Sequence, residues 1–224
     1  MPRGPKAWKK KASGPRRRPG LRRKRAYPTN VNRSLQPIPQ RYICKMKYSE
    51  TVATTAIGNL YAFNLNSIYD PNRTGTGHQP YGHDTLTTLY NRYRVIACAW
   101  RINVLMGAST APVQVAAQPA NEVLTTASVN EMRENPRAKY ILQNTGAESK
   151  VLSGKTYIPS LVGRSKTQYM SDDRYQAQVG SSPLEAAILN IVTSDVADSG
   201  AAVSLQVMLE YTVEFFDIKH LVQS

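Results

Sequence analysis

The first 25 residues carry twelve basic side chains and no acidic one. The twelve are Arg3, Lys6, Lys9, Lys10, Lys11, Arg16, Arg17, Arg18, Arg22, Arg23, Lys24 and Arg25. Phosphates can supply the missing counter-charge, because ions condensed on a nucleic acid are released when cations replace them. Trp8 adds a ring on which an unpaired base could stack. This segment, called the arm below, is therefore predicted to bind nucleic acid.

The positive charge is confined to one end of the chain. Residues 1–49 carry 16 basic residues and no acid, whereas residues 50–224 carry 13 basic and 15 acidic residues. A cellular nucleic-acid-binding module of the ribosomal or chromatin type is the alternative. Such a module normally carries basic residues on its folded part as well, so the near-neutral body disfavours it.

The arm is predicted to be disordered, because like charges repel and several prolines and glycines interrupt it. Residues 26–40 are Pro-rich and form a tether with little capacity to pack. The predicted domains are therefore residues 1–40 and a folded domain at residues 41–224. The basic blocks also match a nuclear-import signal. Its residues are Lys9, Lys10, Lys11, Arg16, Arg17, Arg18, Arg22, Arg23, Lys24 and Arg25.

Side chains that could catalyse a reaction or bind a metal are few and scattered. His78, His83 and Asp84 lie in a Gly/Pro-rich loop, which is a poor scaffold for zinc. Cys44 and Cys98 occupy alternating apolar positions and are interpreted as small buried residues, with no support for a disulfide. We predict no enzyme activity, no metal and no cofactor. A β-sandwich enzyme or lectin remains the third class of function, but it needs a site that the sequence does not present.

An acidic pair and a glycine repeat are also weak signals. Asp172 and Asp173 are typical of a solvated turn, and TGTG at 74–77 lacks the lysine of a phosphate-binding loop. No apolar run approaches the roughly 20 residues that span a membrane, and the N-terminus lacks the apolar core of a signal peptide. We therefore expect an intracellular protein with no membrane insertion.

Period-two alternation of apolar residues predicts eight strands in the body. They fall near residues 41–55, 61–65, 93–106, 111–119, 139–144, 149–158, 186–193 and 203–215. In the third strand, Ile96, Cys98, Trp100, Ile102, Val104 and Met106 are predicted to share one face.

Two short helices are predicted in the connections, one after Asp84 as N-cap and one after Ser128. Residues 66–83 and 159–183 are predicted to be long loops. Eight strands with long connections indicate an all-β fold: a single antiparallel jelly-roll sandwich with two short helices in loops and the disordered arm.

The stretch FNLNSIYDPNRTGTGHQPYGHDTLTTLYNRYRVIACAWRINV, residues 63–104, resembles capsid proteins of circovirus-like viruses, whose circular single-stranded DNA encodes a replication protein. The matching residues are Phe63, Leu65, Asn66, Ser67, Asp70, Pro71, Gly75, Gly77, His78, Gln79, Pro80, Asp84, Leu86, Tyr90, Arg92 and Tyr93. Outside this stretch, only general features resemble these proteins, namely the basic arm and the order of the strands.

The resemblance implies a coat protein, with sixty copies assembling into a T=1 icosahedral shell. The arms would face inward onto circular single-stranded DNA, and sixty arms would bring about 720 positive charges to it. The implied partners are other copies of the chain, the genome, host import receptors and an unidentified attachment factor on the host cell. The implied locations are the virion and, during assembly, the host nucleus. Charge alone does not distinguish DNA from RNA.

Overall fold

The computed structural model describes residues 37–54, 59–75, 77–106, 111–125, 128–146, 148–195 and 203–220. Within these ranges the chain forms nine strands and several short helices. The strands are β1 (Arg41–Thr54), β2 (Asn59–Asn64), β3 (Tyr90–Met106), β4 (Val113–Ala120), β5 (Lys139–Gln143), β6 (Val151–Tyr157), β7 (Ala177–Gln178), β8 (Ile188–Asp195) and β9 (Val203–Ile218). The helices are α1 (His83–Thr87), α2 (Val129–Glu134), α3 (Ile158–Leu161) and α4 (Lys166–Ser171), and a 3-10 turn follows at Asp173–Tyr175.

The strands form two antiparallel sheets with a nested order. Sheet A has the order β1-β9-β3-β6, with β7 pairing at one end of β3, and sheet B has the order β2-β8-β4-β5. If the two-residue β7 is set aside, the first strand pairs with the last, the second with the next to last, the third with the sixth and the fourth with the fifth. This order is a long hairpin wrapped into two sheets, which is a jelly roll. The predicted eight-stranded all-β jelly roll is confirmed.

The core lies between the two sheets. On β9 every second side chain is fully or almost fully buried, as the alternating sequence predicts. These side chains are Val203, Leu205, Val207, Leu209, Tyr211, Val213 and Phe215. Sheet B contributes Val113, Val115, Leu189 and Ile191 from the opposite side.

The predicted face of β3 is interrupted at Ile96. The register against β9 shifts between Val95 and Ala97, which is a β-bulge. As a result Tyr93 and Val95 are fully buried on one side of the bulge and Cys98 on the other, while Ile96 is only half-buried. The prediction that Ile96 shares the core face was therefore wrong, because one extra residue reverses the alternation.

The helices differ in part from those predicted. Ser128 caps α2 as expected, since its hydroxyl accepts a hydrogen bond from the backbone N–H of Glu131 at 3.3 Å. Asp84 does not cap α1: the N-cap is Gly82, in the left-handed region, and Asp84 lies in the first turn. The predicted 159–183 loop contains α4, which begins with a complete capping box between Ser165 and Gln168.

In the long 66–82 loop the described residues, which leave out residue 76, form no helix or strand, but side chains attach the loop to the sandwich. The Asn66 amide donates to the carbonyl of Glu185 at 2.7 Å and accepts from the N–H of Ala187 at 2.9 Å. The Glu50 carboxylate accepts hydrogen bonds from Tyr48 and from Asn72. Residues of the motif that carries the resemblance therefore hold this loop in place.

Trp100 on β3 depends on the absence of a side chain at Gly154 on β6. The two residues pair directly, and a Cβ at Gly154 would lie 2.3 Å from Cζ2 of the buried indole. The indole Nε1 also donates to the hydroxyl of Thr156 at 3.2 Å, which fixes the ring. Gly154 therefore permits β6 to lie against the indole.

Gly154→Ala is expected to lower the free energy of unfolding by about 1–3 kcal/mol, the usual cost of overpacking a core. Urea denaturation of the full chain measures this change. Ser153→Ala is the control, because Ser153 is the exposed neighbour on the same strand and its substitution should change stability by less than about 0.5 kcal/mol. Equal stability of Gly154→Ala and the parent would contradict the packing argument.

Candidate nucleic-acid interface

The arm residues predicted to bind nucleic acid and to direct nuclear import lie outside the described residues, and so does Trp8. The described chain begins just before β1. Ile38 is half-buried against the core, and the hydroxyl of Tyr90 donates to the carbonyl of Pro39 at 2.8 Å. Although the tether was predicted to pack little, its last residues contact the body where β1 enters the edge of sheet A.

The outer face of sheet A carries a group of basic side chains. The outward positions of neighbouring strands form rows across the sheet. One row contains Lys47 on β1, Glu210 on β9, Ala99 on β3 and Lys155 on β6. Lys45 lies two positions before Lys47 on the same strand and points to the same side.

The next row contains Ser49, Met208, Arg101 and Ser153, from the same four strands. Together the two rows and Lys45 hold four exposed cations and one acid, Glu210. We call this area the basic face; its charged members are Lys45, Lys47, Arg101, Lys155 and Glu210.

The single acid of the basic face is paired with only part of the positive charge. Lys45 Nζ lies 2.5 Å from one carboxylate oxygen of Glu210, and Lys47 Nζ lies 3.8 Å from the other. The hydrogen bond from Lys45 is the largest cause that lowers the pKa of the Glu210 carboxyl. Arg101 and Lys155 form no salt bridge with any acid among the described residues. The basic face therefore has positive charge available for an anion.

The Arg101 guanidinium is oriented by a short hydrogen-bond chain. Arg101 Nε donates to the side-chain oxygen of Asn103 at 3.0 Å, and the Asn103 amide donates to Gln206 on β9 at 2.9 Å. This chain leaves the two terminal amino groups of Arg101 without a hydrogen bond to a described residue. They are free to donate to a ligand on the outer face.

A depression of about 420 Å³ lies in the basic face. Lys47, Ser49, Ala99, Arg101, Met208 and Glu210 line it from β1, β3 and β9. Because Ser49 and Ala99 have small side chains, the surface is low between the longer Lys47, Arg101 and Met208. Most of its exposed lining is apolar.

One end of the same sheet surface is covered. Arg94 and Glu214 point outward from β3 and β9 but are buried, with Arg94 Nη1 3.9 Å from Glu214 Oε2. Arg94 Nη2 donates to Gln176 at 3.3 Å, and its Nη1 contacts the sulfur of Met170 at 3.5 Å, so the 166–178 segment covers the pair. Burial is the largest cause that lowers the pKa of the Arg94 guanidinium. Arg94 therefore holds this segment in place and is not part of the exposed basic face.

The histidines and acids considered for chemistry do not converge. The ring of His78 stacks on Tyr48 with centroids 4.7 Å apart, whereas His83 is buried with its Nδ1 3.1 Å from Asp84. Asp172 binds Arg174 at 2.7 Å, and hydrogen bonds from Arg174 lower the pKa of the Asp172 carboxyl to about 2. Within the described ranges, no three or more His, Cys, Asp or Glu side chains are grouped to hold a metal.

Both cysteines are free thiols. Cys98 is completely buried, and burial raises the pKa of its thiol. Cys44 is half-buried against the core, so the interpretation of both as packing residues agrees with their positions.

The sequence contains a local signal for part of the basic face. Lys45 and Lys47 alternate with the buried Met46 and Tyr48, which identifies the two lysines as outward residues of one strand. The positions of Arg101 and Lys155 beside them depend on the strand order β1-β9-β3-β6, which no local pattern reveals.

None of the helices in the described part of the chain is long and apolar enough to span a membrane. No family model matches the sequence, and no curated protein matches it.

Solved structures with a similar backbone include that of Desmodium yellow mottle tymovirus, at 12% identity over 87% of this chain and 100% of that chain with a TM-score of 0.45. The decameric BFDV capsid protein is 12% identical over 78% and 98% of the two chains, with a TM-score of 0.41. A T=1 subviral particle of a Penaeus vannamei nodavirus capsid protein deletion mutant is 11% identical over 79% and 96%, with a TM-score of 0.47. Because these scores lie below 0.5, the fold is assigned from the strand pairing of the chain itself.

Arg101→Gln is expected to reduce the salt dependence of binding to single-stranded DNA, because the basic face loses one of the cations that displace ions condensed on the nucleic acid. The slope of log K against log salt should become shallower by about 0.7. Fluorescence anisotropy of the full chain across a salt series measures it. Arg133→Gln, on α2 over the outer face of sheet B, is the matched control and should leave the slope unchanged. Equal slopes for the parent and Arg101→Gln would remove Arg101 from the interface.

Proposed function

We propose that this chain is a viral capsid protein that assembles into a shell and packages circular single-stranded DNA through its arm. The observation that carries the proposal is the charge distribution: twelve cations without an acid precede a jelly-roll body with little net charge. A near-neutral body can pack against copies of itself without strong repulsion, while the arm supplies charge for the genome. The resemblance of residues 63–104 to circovirus-like capsid proteins points to the same function.

Surface features of the body support self-association. Tyr81 is 95% exposed and Leu184 is 81% exposed, and Ile43 and Tyr140 are more than half exposed. Large apolar side chains in these positions are typical of contacts between proteins. Edge strands add further contact surface, since β1 and β6 bound sheet A while β2 and β5 bound sheet B.

The finer proposal is a T=1 shell of sixty copies that forms in the host nucleus. Its arms meet the genome inside, and the loops that remain outside meet an attachment factor on the host cell. The preference for DNA over RNA rests on the resemblance alone.

Sedimentation of the expressed chain, with absorbance at 260 and 280 nm and negative-stain images of the fast fraction, tests the proposal. We expect uniform megadalton particles that contain nuclease-protected nucleic acid. Replacing all twelve arm cations by Gln should remove the nucleic acid, because condensed ions are no longer displaced from phosphates.

Exchanging every Lys for Arg and every Arg for Lys in the arm is the matched control, and it should retain packaging because the charge is preserved. If half of the arm cations contact single-stranded phosphates, the slope of log K against log salt will be about −4. A slowly sedimenting monomer that binds oligonucleotides would instead favour the cellular binding module.

Nuclear import through the arm is tested in cells with the full chain fused to a fluorescent protein. Alanine at all ten predicted import residues should shift the fusion from the nucleus to the cytoplasm. These residues are Lys9, Lys10, Lys11, Arg16, Arg17, Arg18, Arg22, Arg23, Lys24 and Arg25. Alanine at Lys150 and Lys166, two exposed lysines of the body, is the control and should leave the distribution unchanged. Unchanged nuclear accumulation in the arm variant would place the import signal elsewhere.

A further inference from the structure

The depression in the basic face differs from a simple charged surface. The small side chains of Ser49 and Ala99 and the half-buried Met208 line it, and most of its exposed surface is apolar. Lys47, Arg101 and Glu210 also line it, and Lys155 stands beside Ala99 in the adjacent strand. A surface that only attracts phosphates needs no apolar lining between its cations.

The ligand that matches this arrangement is flat, largely apolar on its faces and linked to negative charge. An unpaired nucleobase has these properties, because its ring faces are exposed while the phosphates on either side of it carry the charge. A base within a duplex does not match, since its faces are already covered by stacked neighbours.

Arg101 has the geometry to contact such a base. The hydrogen bond from its Nε to Asn103 fixes one edge of the guanidinium, and Asn103 is in turn held by Gln206. Guanidinium planes stack on unpaired bases in single-stranded nucleic acid complexes. Because the guanidinium is already oriented, less side-chain entropy is lost when a ligand binds.

Lys47 and Lys155 stand on opposite sides of the depression, on β1 and β6. A strand that crosses sheet A from one edge to the other would place a phosphate near each lysine and a base between them. Glu210 lies on the line between the two lysines, but Lys45 already binds its carboxylate at 2.5 Å. The acid is therefore partly neutralised where the strand would pass.

We infer that the depression between Lys47, Arg101 and Met208 holds an unpaired nucleobase of a single-stranded nucleic acid, with Lys47 and Lys155 contacting the adjacent phosphates. This inference rests on the proposed function and extends it, because it adds a base contact on the folded body to the charge contacts of the arm. It also assigns the outer face of sheet A to the side of the body that meets the genome.

The test uses the full chain bound to a thymidine oligonucleotide in which 5-iodouracil replaces some of the bases. Irradiation joins an iodouracil base to a side chain that it touches, and mass spectrometry of the digested complex identifies the peptide. We expect crosslinked peptides that contain residues 99–101 or 206–210, in addition to peptides from the arm. The same oligonucleotide as a duplex should not crosslink to these two segments.

Ala99→Leu fills the depression without changing the charge of the basic face. The yield of crosslinks on the two segments should fall about tenfold, the size of effect seen when a base loses its stacking surface. Crosslinks on the arm in the same sample serve as the internal standard and should not change. Ala53→Leu is the matched control, since it makes the same substitution at an exposed outward position of β1 beyond the two rows of the basic face and outside the lining of the depression, and it should leave all yields unchanged.

Met208→Gln is the second variant, for the case that Ala99→Leu does not fold by circular dichroism. It replaces an apolar side chain of the lining by a polar one with little change in volume and should reduce the same crosslinks. Crosslinks confined to the arm, or crosslinks on the two segments that both variants leave unchanged, would overturn the inference.

Three other outcomes separate this inference from the proposed function. If Ala99→Leu prevents particle formation and the parent gives no crosslink on the two segments, the depression is a contact between copies of the chain and the inference is wrong. If the full chain binds no oligonucleotide and forms no particle, the proposed function itself is wrong. If the parent packages nucleic acid but crosslinks only through its arm, the proposed function stands and the base site does not.

Discussion

Burial of apolar side chains between two sheets is the constraint on which the rest of the structure depends, and β9 shows it in the most regular form. Seven alternating side chains of this strand, from Val203 to Phe215, lie in the core. Its two edges pair with β1 and β3, so it occupies the centre of sheet A. Because β9 turns its odd-numbered residues inward, Met208, Glu210 and Thr212 must point outward. The basic face is thus a geometric consequence of the core.

Much of the sandwich could be predicted from the alternation in single strands. On β9 the apolar positions agree with those buried in the structure, because the strand has one face in the core and one toward solvent. On β1 the agreement holds for Met46 and Tyr48, whereas Tyr42, which belongs to the same alternation, is exposed. The failure at Ile96 has a local cause, a bulge that adds one residue without changing the composition. The missed helix at Lys166–Ser171 has a different cause: six residues provide too little periodicity, although the Ser165 and Gln168 capping pair was present.

The candidate interface was less predictable than the fold. The twelve arm cations are adjacent in sequence, so their combined charge is evident without a structure. Arg101 and Lys155 are 54 positions apart in the sequence. They lie on the same face of sheet A as Lys47 only because the strand order is β1-β9-β3-β6. Arg94 shows the opposite case, since it is as basic as Arg101 but lies buried beside Glu214 under Met170. Composition counts both arginines equally, whereas only one is exposed.

The strand pairing of sheet A also has a consequence for kinetics. Arg41 on β1 contacts Glu214 on β9 across 173 positions of the chain, and Lys45 contacts Glu210 across 165. The entropy of closing such long loops must be overcome before these contacts stabilise the chain, which slows folding. Until β9 is in place, β1 and β3 have unpaired edges that can pair with another molecule. At high local concentration, intermolecular pairing therefore competes with the closure of each sandwich, and the outcome depends on which is faster.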